Sequence, residues 1–409
     1  MLELEQIRGD FPILNTQVHG QPLVYLDNGA TMQVPVQVLR AVEEQYAHWQ
    51  ANIHRGIHYL SEQSTVRVEE ARKHLARFLN AAAPEEILFT SGTTEGINLV
   101  ARSFGEAFLH PGDTVVTTEM EHHSNLIPWQ EACRRTGAAL EIVHLTDRGE
   151  LDTEEFRRLM ALRPKLMAVT CVSNVLGTVN PVEELIAQAH QAGAAVLLDA
   201  AQAMRHRVMD VQTLDCDFLC FSGHKIMGPT GTGVLYGKRE WLERLPPVRF
   251  GGGMVDEVTA RSATWGELPF KFEAGTQNIA GIIGLAAAVS YLEKLGIPEI
   301  SAREDALLCR GEDGLRAIPG VEVLGSPARR AGAVSFNLKG FHYYDTARLL
   351  DQLGIAVRSG HHCAQPLLAR FGLTGAVRVT PAFYNTEEEM DALLRGVERV
   401  ASLAGGLRT

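Results

Sequence analysis

The chain has 409 residues, of which 45% are hydrophobic and 21% charged, with a formal charge of −11. That length exceeds one compact core and predicts two domains of ordinary globular composition. The negative balance argues against a nucleic-acid binder, which neutralises phosphates with clustered Lys and Arg. Six cysteines (Cys133, Cys171, Cys216, Cys220, Cys309 and Cys363) are too few and too scattered for a disulfide framework.

The N-terminus, MLELEQIRGDFPIL, has no basic segment followed by an apolar run, so no signal peptide is expected. From about residue 85 to 240, apolar runs alternate with helical patterns. EILFT (86–90), TVVTT (114–118), LEIVHL (140–145), LMAVTCV (166–172), AAVLLD (194–199), DFLCFS (217–222) and TGVLYG (232–237) read as buried strands. TEEFRRLMALR and VEELIAQAHQA between them have the helical period. Continuous Val/Ile/Leu strands separated by helices predict an α/β fold with a mostly parallel seven-stranded sheet covered on both faces. AGIIGLAAAVSYL (280–292) is too short to span a bilayer. Helix, strand (AVSFNL, 333–338), helix (YDTARLLDQLG), strand (GIAVRS) and a C-terminal helix opened by NTEEEMD follow, and predict a smaller α+β domain. The expected division is 1–30 as a segment associated with the small domain, 31–295 as the large domain and 296–409 as the small one. A soluble, cytoplasmic protein without a membrane partner is expected.

Ligands of open α/β sheets sit at the carboxyl ends of strands. AAVLLD ends in Asp199, with Gln202 three residues on, and DFLCFS ends in Ser222, followed by His224 and Lys225. A lysine and an acid at neighbouring strand ends suit pyridoxal phosphate: the amine forms a Schiff base with the aldehyde, and the carboxylate keeps the ring nitrogen protonated. A structural ion pair accounts for these two residues equally well. FTSGTTEGINLV (89–100) adds a strand, a Gly/Ser/Thr turn and a helix, whose N-terminal N–H groups and hydroxyls can cradle a phosphate. It carries no Walker lysine and no GxGxxG pattern. TTEMEHHSN presents His122 and His123 at a third strand end, where a histidine with a pKa of about 6.5 could stack on a cofactor ring and handle protons. The HH pairs at 122–123 and 361–362 also raise zinc, but adjacent strand residues face opposite ways and no CxxC or HExxH accompanies them. No metal is expected.

RSGHHCAQP (358–366) places Cys363 in a mobile-looking Gly/His segment, where histidine and arginine neighbours favour a thiolate. A nucleophile is the main reading, with a core thiol and a metal ligand as alternatives. Arg378 lies in apolar AVRVTPA, where an unpaired guanidinium is costly and a bidentate one suits an amino-acid carboxylate.

With these residues in view, the chain resembles the cysteine desulfurases of the SUF-type (group II) subfamily, in the class V aminotransferase group of pyridoxal-phosphate enzymes. The matching segments run nearly end to end: YLDNGAT, NIHRGIH, SGTTEGIN, EMEHHSNLIPWQ, SNVLGT, LLDAAQA, FSGHKIMGPTGTGVLYGK, FEAGTQN and RSGHHCAQPLL. The resemblance implies a fold-type I transferase that converts L-cysteine to L-alanine and passes the sulfur to Cys363 as a persulfide, for iron–sulfur cluster assembly. It implies that Lys225 carries pyridoxal 5'-phosphate, with Asp199 on the ring nitrogen, Gln202 on the ring hydroxyl and His122 stacked on the ring. Thr93, Thr94, Ser222 and His224 would hold the phosphate, joined by Thr276 from the other subunit of a homodimer. Asn174 and Arg378 would bind the substrate carboxylate, with Arg358 and Gly29 nearby, and His54 and Arg55 would line the entrance. A sulfur-acceptor protein of the SUF system is the implied partner.

Several positions depart from the family pattern. Gly29, Met32 and Val34 alter the usual LDNAATSQKP, Ala200 replaces a frequent glycine, Gln277 a proline and Ser359 a threonine. Changes near the substrate leave selenocysteine open as a second substrate. An aminotransferase or a cysteine-sulfinate-type lyase would keep Lys225 and Asp199 without needing Cys363, and a sulfur carrier or scaffold would need no cofactor.

Overall fold

The computed structural model describes residues 3–406, so the first two and last three residues of the expected domain spans lie outside it. All seven apolar runs form strands of one sheet. They are β1 (Ile87–Thr90), β2 (Thr114–Thr118), β3 (Ala139–Val143), β4 (Leu166–Thr170), β5 (Ala195–Asp199), β6 (Phe218–Ser222) and β7 (Gly233–Gly237), in the order β1-β7-β6-β5-β4-β2-β3. Strands β6, β5, β4, β2 and β3 run parallel, and β7 is antiparallel to both β1 and β6.

The runs are continuous rather than alternating because each face of the sheet has its own apolar cover. Successive strand residues point to opposite faces. Val116, Val169 and Leu198 enter one cluster, while their neighbours Val115, Ala168 and Leu197 enter the other. LEIVHL departs from expectation: β3 is an edge strand in which only Val143 is buried, since among the described residues no strand pairs on its outer side. Residues 280–292 fall in the helix Ile279–Leu295, largely buried, and among the described residues no single helix is long and apolar enough to cross a membrane.

A second, antiparallel sheet has the order β8 (Val321–Val323), β9 (Val334–Leu338), β11 (Ala376–Val379), β10 (Arg358–Gly360). Its own cluster joins Phe336, Val377 and Val379 to Leu308, Leu350 and Met390 of three helices. The run GIAVRS divides, because Ile355–Ala356 pairs in parallel with Val24–Tyr25 whereas Arg358–Gly360 pairs with β11. The C-terminal helix opens as the sequence suggests. Thr386 Oγ1 accepts the Glu389 N–H, and the Glu389 carboxylate accepts the Thr386 N–H, each at 3.1 Å. This reciprocal cap satisfies two donors that a helix start otherwise leaves bare.

The parallel arrangement brings Asp199, Ser222 and the residues after Thr118 and Thr170 to one edge of the large sheet. β10 and β11 deliver Arg358 and Arg378 from the small sheet to the same edge.

Candidate active site

A cavity of about 690 Å³ lies at this edge, lined by residues of both sheets. Of the fourteen expected site residues, thirteen border it: Gly29, Thr93, Thr94, His122, Asn174, Asp199, Gln202, Ser222, His224, Lys225, Arg358, Cys363 and Arg378. The exception is Thr276. It borders a separate hollow of about 370 Å³ together with His54 and Arg55, which likewise do not reach the Lys225 cavity within one chain.

Lys225 follows β6 in a single 3-10 turn, so its ammonium projects from the floor of the cavity. Burial pushes its pKa from 10.5 down to about 8, partly opposed by the charge of Asp199. Asp199 ends β5, is 4% exposed, and accepts the Ala201 N–H at 2.9 Å through Oδ1. Burial raises its carboxyl, and Lys225 pulls it back.

The Gly/Ser/Thr turn behaves as an anion cradle. Gly92 adopts φ +149°, and a Cβ there would stand 3.1 Å from Ser222 Oγ. Ser222 Oγ accepts the Thr93 N–H at 2.8 Å, and Thr94 Oγ1 lies 2.7 Å from Ser124 Oγ. These hydroxyls surround the start of the helix Thr93–Phe108, where the backbone donors and the helix dipole favour an anion.

His122 caps the helix His123–Thr136, so the HH pair stands at a helix start rather than on a strand. Its Nδ1 accepts the Ser124 N–H at 3.1 Å, which leaves the ring proton on Nε2. The ordinary pKa expected for it does not hold: burial and the Lys225 charge push it down to about 3. His122 is therefore a neutral ring with one N–H to offer. Burial pushes His362 to about 3 as well, so neither histidine supplies positive charge to Cys363.

Cys363 stands half-buried at the cavity rim with φ +54°, after His362 at φ +50°. Two successive non-glycine residues in the left-handed region are strained and need outside support. They have it. The Cys363 carbonyl accepts the His123 N–H at 2.7 Å, the Cys363 N–H donates to His361 Nδ1 at 3.0 Å, and the Asn174 side chain donates to the His362 carbonyl at 2.7 Å. His362 Nε2 donates to the Ala376 carbonyl at 2.9 Å. The segment that looks mobile in sequence is thus pinned on both sides.

Arg378 is 3% exposed and Arg358 half exposed. Asp27, which sequence reasoning passed over, meets both: 3.1 Å to Arg378 Nη2 and 3.7 Å to Arg358 Nη1. Glu121 was also missed. It is wholly buried, accepts from Thr118, Asn125 and the Thr170 N–H, and has its carboxyl raised to about 8 by burial. The partners of Asp27 are more than 300 residues away in the chain, and Glu121, although Thr118 and Asn125 are close in sequence, owes its burial to β4 through the Thr170 N–H.

The donor set fits pyridoxal phosphate. A buried amine, a carboxylate at a neighbouring strand end, an N–H-bearing ring and a hydroxyl-lined helix start share one cavity. The unpartnered, buried Nε of Arg378 marks where a further anion belongs.

The family model for class V aminotransferases matches residues 24–393. A cysteine desulfurase of Cronobacter sakazakii is 49% identical over 403 residues, 98% of this chain and 99% of that protein. One from Klebsiella pneumoniae shows the same identity and coverage. Among solved structures, the apo form of a cysteine desulfurase from Thermococcus onnurineus superimposes with a TM-score of 0.93 at 41% identity, covering 98% of this chain and 99% of its own. A cysteine desulfurase from Escherichia coli gives a TM-score of 0.91 at 39% identity, with 98% and 99% coverage. The seven-stranded sheet and its helices are thus a fold-type I arrangement, and the chain belongs to the class V aminotransferase family as a pyridoxal-phosphate-dependent cysteine desulfurase.

Proposed function

We propose that this enzyme is a SUF-type (group II) desulfurase that moves sulfur from L-cysteine onto Cys363 and hands it to an acceptor protein for iron–sulfur cluster assembly. The observation that carries this reading is that Cys363 is the one cysteine among the described residues lining the Lys225 cavity. The other thiols do not compete: Cys133, Cys171, Cys216 and Cys220 are buried elsewhere, and Cys309 is exposed on a helix outside that cavity.

Pyridoxal phosphate, when bound, supplies an electron sink for the pair released at the amino acid's Cα. Around it the chain's residues divide the work. Thr93, Thr94, Ser222 and His224 would hold the phosphate, with Asp199 available to the ring nitrogen and Gln202 to the ring hydroxyl. Lys225 would carry the cofactor and, once released as a free amine with a pKa of about 8, can take up and give back a proton near neutrality. His122 would cover the ring face as a neutral group whose Nε2–H can donate to the substrate. Arg378 and Asn174 receive the substrate carboxylate, with Gly29 and Arg358 beside it, which orients the Cβ–S bond toward the rim. There the Cys363 sulfur attacks the substrate sulfur: an S–S bond forms, the C–S bond breaks with its electron pair left on carbon, and protonation of that carbon gives alanine. Cysteine and the Cys363 thiol are thereby converted to alanine and a Cys363 persulfide, with atoms and electrons balanced.

We further infer a cytoplasmic homodimer in which Thr276 of each protomer completes the other's phosphate site, since within one chain it borders a different hollow. We read a large domain at 31–295 and a small one at 296–409 joined by residues 1–30: the small sheet has its own cluster, which takes in Val24 and Leu26, while the main cluster crosses the boundary and packs Leu367, Leu368 and Phe383 against the large domain. Selenocysteine is the second substrate we propose, because a C–Se bond breaks without attack by a thiolate. The test is to incubate wild type and Cys363→Ala with cysteine and analyse the Cys363 peptide by mass spectrometry. One added sulfur atom in wild type, and alanine formation falling by orders of magnitude in the variant, are expected. Undiminished alanine formation would favour a lyase.

A further inference from the structure

Arg378 already has partners within the chain. Its Nη1 donates to the Asn174 carbonyl at 3.0 Å, Asp27 Oδ1 holds Nη2 at 3.1 Å, and Nε is buried without a partner. A carboxylate binds a guanidinium bidentately along one edge. The edge with a free donor is Nε–Nη2, and Asp27 stands on half of it. The second Asp27 oxygen lies 3.7 Å from Arg358 Nη1, and among the described residues this is the only ion pair of Arg358. Gly29 keeps the guanidinium accessible: a Cβ there would stand 3.4 Å from Arg378 Cζ and Nη2 and 2.8 Å from Thr380 Cγ2.

We propose that Asp27 is a resident counter-ion which an amino-acid carboxylate displaces from Arg378 and which Arg358 then takes up, so that Asp27 sets how tightly carboxylate ligands bind. This rests on Arg378 being the carboxylate-binding residue, as read above. A buried guanidinium with no anion is costly, and Asp27 relieves that cost in the ligand-free protein. Two carboxylates at one guanidinium repel each other, so the arriving ligand drives Asp27 toward the half-exposed Arg358. The exchange is subtracted from the binding free energy. Removing the Asp27 charge therefore tightens binding while it weakens the empty protein, whereas an acid with a merely structural role would lose both.

Calorimetric titration of the holoenzyme with L-alanine, the reaction product, tests this. Asp27→Asn should bind L-alanine about tenfold more tightly, ~1.4 kcal/mol. It should show a correspondingly lower KM for cysteine, and melt below wild type when no amino acid is present. Arg358→Gln, at a half-exposed position, should bind L-alanine several-fold more weakly. That cost should vanish in the Asp27→Asn background, because Arg358 acts through Asp27. Unchanged or weaker L-alanine binding in folded Asp27→Asn overturns the proposal, as does an Arg358→Gln cost equal in both backgrounds. Should Asp27→Asn not fold, unchanged L-alanine affinity in Arg358→Gln alone overturns it. Arg378→Lys separates failure of the underlying reading: if it binds L-alanine as wild type does, Arg378 is not the carboxylate site and the proposal falls with it.

Discussion

Replacing Glu273 by alanine should destabilise the enzyme more than any single surface change, and the structure allows the size to be worked out. Glu273 and Arg72 expose 2% and 1% of their side chains. The carboxylate accepts both terminal guanidinium nitrogens at 2.8 Å each and the Phe89 N–H at 2.8 Å. Arg72 also donates to the Ile87 carbonyl at 2.7 Å and to Glu69 at 3.1 Å. One carboxylate thus ties the helix Tyr59–Leu79 to β1 and to the chain entering Gly275–Gln277. Removing Glu273 leaves the buried Arg72 with the partly exposed Glu69 alone, which places the cost toward the lower end of the about 3–5 kcal/mol for breaking a buried pair, and the stranded Phe89 N–H adds about 1 kcal/mol or more. Urea unfolding followed by circular dichroism should therefore show a loss of about 4 kcal/mol or more for Glu273→Ala. The double variant Arg72→Met with Glu273→Leu removes both charges and should recover most of that loss. A Glu273→Ala loss below about 1 kcal/mol, the range of exposed pairs, would refute the reasoning.

Burial lowers the Lys225 pKa to about 8, below its ordinary 10.5, so uptake of pyridoxal phosphate by the cofactor-free protein should rise through pH 8 and level off above it. Asp199→Asn should move that midpoint down, because the Asp199 charge opposes the effect of burial; uptake independent of pH would contradict this. The same shift makes the cofactor-free protein gain stability as pH rises from about 8 toward 10.5, where only the unfolded chain still holds the proton, and pH-dependent urea midpoints report it. Asp199→Ala should fold yet lose most turnover with every amino-acid substrate, and near-wild-type turnover would make Asp199 structural. Thr386→Ala removes one half of the C-terminal helix cap and should cost about 1 kcal/mol in the urea midpoint, with no change in substrate affinity.

Period and strand-end position made much of the molecule legible in advance. Val115–Val116 and Leu197–Leu198 read as buried strands because both faces of the sheet are covered, and the candidate groups follow the strands, Asp199 at the end of β5 and Lys225 three residues past the end of β6. LEIVHL misled because an edge strand has the same composition as a central one, and edge position is a property of strand order. The sequence also suggested a titrating His122 and a mobile Cys363 loop. Burial decided the first and hydrogen bonds from two other elements decided the second.

What the sequence alone determined is the set of chemical groups and the local frames that carry them: strand ends, helix starts and the Gly/Ser/Thr turn, all properties of short-range geometry. What only the tertiary structure decided is charge state and company. Asp27 lies 351 residues from Arg378 in the chain yet 3.1 Å from it in space, and Asn174 reaches the Cys363 loop across 188 residues. Desolvation and ion pairing depend on everything packed around a group, and that surrounding is assembled from distant segments when the two sheets close over one cavity.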